Sequence, residues 1–227
     1  MHARYVLYSY FRSSAAWRVR IVLNIKGIAW EYAPVHLLKN GGEQLSPEHR
    51  ALNPMGEVPV LAVHGPDGAP PLVLTQSAAI AEFLDETVPN PPLLPADPVG
   101  RARVRALVQV INSGIHPIQN LKVLNHVEST FGATQESRVA WARHWITRGF
   151  EGLEPMLAAT AGTHAYGDAV TLADCFIVPQ VFNAERFGVD LAAFPTITRI
   201  AAAAATLPAF QRAVPAVQPD APPPVAT

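Results

Sequence analysis

Ser13 and Ser14 stand where an aromatic and aliphatic run, Tyr5 to Ser9, gives way to a helical pattern. A hydroxyl at such a junction sits beside free backbone N–H groups and the positive end of a helix dipole, a setting that can hold an anion or a thiolate. The competing reading is a plain helix cap. Gln76 and Ser77 open a second helix and offer an amide, a hydroxyl and free N–H groups to a carboxylate; capping, by Thr75 or by the pair itself, is again the alternative. Val58-Pro59 joins a loop to a strand. A cis bond there would present the backbone of Val58 to a ligand, whereas a trans proline simply begins the strand, and the residues alone favour trans. Arg12 and Arg186 are a possible pair, because arginine grips a carboxylate through two parallel hydrogen bonds and a dianion needs more than one such grip. Surface roles compete for both, with Arg186 answering a helix dipole or Glu185.

Other chemistry-bearing residues read more plainly. His116, Asn120 and Lys122 are polar positions in a long helix, and no His, Cys or Asp spacing suits zinc. Asp174 reads as a helix cap and Cys175 as a core residue. Dinucleotide, phosphate-loop, metal-helix and nucleophile-elbow signatures are missing.

The elements that must position these residues follow from periodicity and punctuation. Tyr5–Ser9 reads as a strand, Trp17–Lys26 as an amphipathic helix stopped by Gly27, and Ala29–Pro34 as a second strand. A polar loop with a short irregular helix spans Lys39–Asn53. Strands at Val58–Val63 and Leu72–Leu74 flank a Pro-Asp-Gly turn, and Gln76–Glu86 is a helix. The order β-α-β then β-β-α predicts a small mixed sheet covered by helices over residues 1–88. Five prolines in ten positions, Pro89–Pro98, mark a linker at 89–97. Residues 98–214 are helical throughout: a long helix from the Asp97 cap to about Val127, bending near Gly114 and Pro117, then Ser137–Ala159, a capped helix from Thr171 through Phe187 kinked at Pro179, and two short helices. Residues 215–227 read as an irregular tail.

Composition narrows the function. Of 227 residues 49% are hydrophobic and 15% charged, with a net charge of -1, which predicts a folded protein and gives nucleic acid no basic stripe to bind. Neither a secretory signal nor a bilayer-crossing run is expected, and one cysteine allows no internal disulfide, so a cytoplasmic protein is expected.

The stretch Tyr10–Leu23 closely resembles the opening motif of zeta-class glutathione transferases, the family of the maleylacetoacetate isomerases. Leu52–Pro59, Thr75–Ser77, Thr171–Asp174 and Val178–Phe187 match further motifs in order, and the likeness covers about residues 4–214. The resemblance implies the glutathione-transferase superfold, a thioredoxin-like α/β N-terminal domain plus an all-helical C-terminal domain, and a homodimer. It implies glutathione as cofactor, with Ser13 and Ser14 at the sulfur, a cis Pro59 exposing Val58, Gln76 and Ser77 at the γ-glutamyl end, Gln44 near the glycyl end, and His116, Asn120 and Leu121 lining the site. It makes Arg12 and Arg186 anchors for a small dicarboxylic acid, and Asp174 a structural cap. Ala15 departs from the family's usual cysteine. The implied reaction is isomerisation of maleylacetoacetate by reversible thiolate addition. Maleylpyruvate isomerisation, transfer or dehalogenation on small α-halo acids, and a noncatalytic glutathione-binding module are the alternatives; Leu121-Lys122, where maleylpyruvate isomerases often carry two arginines, favours maleylacetoacetate.

Overall fold

In the computed structural model, which describes residues 3–66 and 68–223, four strands form one sheet in the order β2-β1-β3-β4. β1 (Arg4–Ser9) runs parallel to β2 (Trp30–Pro34) and antiparallel to β3 (Val60–His64), which pairs antiparallel with β4 (Leu72–Thr75). The two interior strands bury Val6, Leu7, Val60, Leu61 and Ala62. Parallel pairing of β1 with β2 demands a crossover, supplied by α1 (Ser14–Ile25). Two 3-10 turns (Lys39–Gly41, Glu43–Leu45) and α2 (Pro47–Leu52) lead to β3, and α3 (Ser77–Thr87) packs on α1. Asp67, the centre of the expected turn, lies outside the described residues.

α1 departs from the amphipathic expectation. Arg18 and Arg20 are fully buried along with Ala16, Val19, Ile21, Val22 and Leu23. The helix is enclosed because its flanks meet α3 and a short helix near the end of the chain, Pro208–Gln211.

The chain divides into two units: one runs to Pro91 and resumes at Pro208, the other is Pro92–Leu207. Residues 208–214, expected in the helical domain, therefore belong with the sheet. So do the residues after them, which are not an irregular tail as far as they are described: Pro215–Val217 forms a 3-10 turn, Gln218 is buried and donates to the carbonyls of Arg212 and Val214, and Phe210 and Ala213 are core. Side chains of the first unit bind this segment's backbone, Asn24 Nδ2 donating to Ala209 O at 3.0 Å and Arg20 Nε to Ala213 O at 3.0 Å. Residues 224–227 of the expected tail lie outside the described residues.

The second unit is helical: α4 (Pro98–Gln109), α5 (His116–Gln119), α6 (Leu121–Phe131), α7 (Gln135–Ala158), α8 (Leu172–Arg186) and α9 (Pro195–Ala205). The expected long helix is broken rather than bent. A π-helical stretch, Val110–Ile115, precedes Pro117, and Asn120 is extended (φ -65°, ψ 148°) and caps α6 by accepting from Lys122 N–H. Proline lacks the N–H that would continue the ladder, and a π-turn absorbs the misfit. α8 runs through Pro179. Asp174 caps it from full burial, accepting from the N–H groups of Thr171 (2.8 Å) and Ala165 (3.0 Å) and from the Thr171 hydroxyl. Cys175 is core.

Candidate active site

Register decides what meets what in the first unit. Tyr8 pairs with Val60 and Val60 with Thr75. The chain leaving β1, the chain entering β3 and the chain leaving β4 therefore lie at one end of the sheet, and with them Tyr10–Ser14, Val58-Pro59 and Gln76-Ser77. Tyr10, Val35 and Val58 form a buried cluster there, with Tyr8, Phe11 and Leu37 packed on it.

Ser13 is the N-cap of α1, and its Oγ accepts from Ala16 N–H at 3.2 Å. Accepting uses a lone pair and leaves the O–H to donate. The two readings of Ser13, cap and anion holder, are thus compatible. Ser14 is buried as the first helical residue, and Arg12 is half-buried with its guanidinium 5.9 Å from the Phe11 ring centroid. At α3 the capping reading fails for Gln76: it occupies the N-cap with φ 68°, exposed, and its side chain makes no cap hydrogen bond. A non-glycine residue held at positive φ stores strain of about 1–3 kcal/mol, a feature that clusters at ligand sites. Ser77 is buried, and its Oγ accepts from Arg18 Nη1 at 3.1 Å. Burial pushes the Arg18 guanidinium down to about 9, still charged at neutral pH, so a cation backs the N-terminus of α3.

Val58-Pro59 is cis, against the reading from the residues alone. The carbonyl of Glu57, one residue before Val58, accepts from Asn53 Nδ2 at 2.9 Å and lies 2.9 Å from His49 Nε2. Gln44 sits in the second 3-10 turn, half-buried, and its Oε1 is buried with no hydrogen-bond partner among the described residues. The carboxylate of the preceding Glu43 accepts from His36 N–H at 2.6 Å.

The second unit holds the remaining candidates. His116, Asn120 and Leu121 fall at the junction of the π-stretch, α5 and α6, all half-buried. Between them Gln119 is buried and donates to Gln180 Oε1 at 3.0 Å, tying α5 to α8. Arg186 ends α8, exposed, its guanidinium 5.0 Å from the Phe187 ring centroid. Arg12 and Arg186 belong to different units. No group of three or more His, Cys, Asp or Glu side chains among the described residues is placed to hold a metal ion, and no helix among them is long and apolar enough to cross a membrane.

Arg18, His49 and Asn53 escaped the sequence reading as supports of the site. For Arg18 a signal existed: Trp17, Val19, Ile21, Val22 and Leu23 occupy every face of α1 and leave none for solvent. For His49 and Asn53, whose partner is a backbone carbonyl, the residue types carry no signal.

A mixed four-stranded sheet with its helices, followed by an all-helical unit, is the glutathione-transferase superfold, with a thioredoxin-like first domain. The family model for the glutathione S-transferase N-terminal domain matches residues 12–87. The chain is 50% identical over 217 residues to the maleylacetoacetate isomerase of Rattus norvegicus, covering 96% of this chain and 95% of the relative. Among solved structures it resembles the holo form of a bacterial zeta-class maleylpyruvate isomerase, with TM-score 0.88 and 46% identity over 96% of this chain and 100% of that one. It also resembles the maleylacetoacetate isomerase of Anaeromyxobacter dehalogenans with bound dicarboxyethyl glutathione and citrate, with TM-score 0.87 and 48% identity over 97% and 99%. The chain belongs to the maleylacetoacetate isomerase, or zeta-class glutathione transferase, family and is an enzyme of that family.

Proposed function

We propose that this chain catalyses the glutathione-dependent cis-trans isomerisation of maleylacetoacetate to fumarylacetoacetate. One observation carries the reading: two helix N-termini share one end of the sheet, the first capped by a hydroxyl that can still donate, the second without a side-chain cap and backed by buried Arg18. A ligand bearing both a thiol and a carboxylate fits that pair. Bound glutathione supplies a thiolate that adds reversibly to the conjugated cis double bond, so that the bond can rotate while it is single.

The residues divide the work. Ser13 donates to the sulfur and, with the α1 terminus and the neighbouring Ser14, favours the ionised thiol. Gln76, Ser77 and the first N–H groups of α3 hold the γ-glutamyl carboxylate. The backbone of Val58 holds the cysteinyl part, steadied by His49 and Asn53 through Glu57. The buried Oε1 of Gln44 is free to accept from the glycyl N–H. His116, Asn120 and Leu121 line the site, and Arg12 and Arg186 anchor the two carboxylates of the acid. The relative holding dicarboxyethyl glutathione and citrate supports a site that takes a glutathione conjugate and a polycarboxylate. The enzyme acts as a homodimer in the breakdown of tyrosine or phenylalanine on this reading.

The test is kcat/KM for glutathione-dependent isomerisation of maleylacetoacetate and maleylpyruvate, measured side by side. A larger value for maleylacetoacetate is expected. The reverse order moves the enzyme to maleylpyruvate, and activity on neither overturns the reading.

A further inference from the structure

The loop between β1 and α1 is held from outside by the last described stretch of the chain. Asp220 reaches it with both oxygens: Oδ2 accepts from Phe11 N–H at 3.0 Å and Oδ1 from the Tyr32 hydroxyl at 2.6 Å. Arg20, fully buried in α1, takes the other side. Its Nη2 donates to Phe11 O at 2.9 Å, Nη1 to Tyr10 O at 3.3 Å and to Ser9 Oγ at 3.1 Å, and Nε to Ala213 O at 3.0 Å. Tyr10 O also accepts from Ser13 N–H at 2.9 Å. Phe11 is thus gripped at its N–H by the C-terminal segment and at its carbonyl by Arg20, and the same guanidinium binds that segment through Ala213. Arg12 and Ser13 are the next two residues.

Nothing in the local sequence of this loop fixes it so tightly, and a segment that only covered the sheet would not need a carboxylate aimed at a loop N–H. Tyr32 keeps its proton, since burial and the bond to Asp220 push its phenol upward, so it remains a donor and holds Asp220 in place.

We propose that Asp220 is a positioning residue for catalysis, and that the segment from Pro208 to Asp220 acts as a strap that sets the aim of Ser13 and Arg12. The proposal rests on the role assigned to Ser13 above. Hydrogen bonds of this kind act on rate by fixing a reacting group, and a misplacement of about 1 Å can cost on the order of 100-fold.

Asp220→Ala, Asp220→Asn and Tyr32→Phe test it in the full-length chain, with kcat, the KM for glutathione, the thermal midpoint, and the apparent pKa of enzyme-bound glutathione read from thiolate ultraviolet absorbance. Asp220→Ala is expected to lower kcat by roughly 10- to 100-fold and to raise the bound thiol pKa, while the KM for glutathione changes by less than about threefold. Asp220→Asn, which keeps the shape and can still accept from Phe11 N–H, should recover most of both. Tyr32→Phe, which leaves the Phe11 bond in place, should shift both readouts in the same direction by less, and it decides the matter if Asp220→Ala does not fold. Unchanged thiol pKa and kcat in the folded variants would overturn the strap, as would a loss of thermal stability with the thiol pKa unmoved. A wild-type protein that binds glutathione but turns over neither diacid would sink the functional reading instead, and the thiol pKa series would still judge the strap.

Discussion

Ser13 caps α1 and is proposed to hold the glutathione sulfur, two roles that substitutions can separate. In Ser13→Ala the N–H of Ala16 loses its acceptor, at a cost of about 1 kcal/mol for a helix N-cap. For a chain of this length that is a fall of about 2–4 °C in thermal midpoint. The same change removes the donor proposed for the sulfur. A hydrogen bond to a charged partner contributes about 1.5–3 kcal/mol, so kcat should fall about 10- to 150-fold, with the bound thiol pKa rising by roughly one to two units. The KM for glutathione should move little, because its two ends are proposed to be held at Gln76-Ser77 and Gln44. Ser13→Asp separates the roles. A carboxylate caps as well as serine does, so the thermal midpoint should return to near the wild-type value. Yet an ionised aspartate has no proton to give and repels a thiolate, so kcat should fall below that of Ser13→Ala. Isomerisation rate, glutathione saturation and thermal denaturation on the three proteins suffice. An active Ser13→Asp, or a Ser13→Ala that loses glutathione affinity and rate in equal measure, would refute the assignment.

Three further outcomes are expected. Arg186→Ala should lower kcat/KM for the best diacid about 10- to 150-fold through a higher diacid KM, with glutathione saturation unchanged; unaltered kinetics would remove Arg186 from the site. Gly149 lies in α7 where a Cβ would overlap Cγ1 and Cδ1 of the buried Ile115 in the π-stretch. Gly149→Ala should therefore destabilise by about 1–2 kcal/mol in denaturant titration, despite alanine's better helix propensity, and a more stable variant would show that the π-stretch yields. His164 Nδ1 lies 3.3 Å from the buried carboxylate of Asp174, and that interaction raises its pKa against the opposing effect of burial. A raised folded-state value means the stabilisation is complete below the ordinary histidine value of about 6.5 and fades as pH rises through the folded one. Comparing unfolding free energies of wild type and His164→Asn across pH should show their difference shrinking toward alkaline pH; a constant difference would contradict the pairing.

What the amino-acid sequence determined by itself is local. Hydrophobic period, turn residues and caps marked β1 through α3 to within a few residues, and Asp97 and Asp174 read correctly as caps because a cap bonds within its own first turn. The types at Ser13, Gln76 and Ser77 marked helix termini able to hold an anion, since a hydroxyl and a helix terminus are legible one segment at a time, whereas the cis bond at Val58-Pro59 was not.

Tertiary structure decided the rest. Trp17–Lys26 read as an amphipathic helix, but packing buried Arg18 and Arg20 along with its apolar residues, and their guanidiniums are tolerated there only because Ser77, the Ser9 hydroxyl and loop carbonyls meet them. Pairing Tyr8 with Val60 and Val60 with Thr75 put the three candidate segments at one end of the sheet, which no spacing along the chain specifies. The proline-rich end looked irregular because it has no periodicity. Asp220 is ordered by Phe11 and Tyr32, about two hundred residues away in sequence, and long-range hydrogen bonds of that kind leave no local pattern to read.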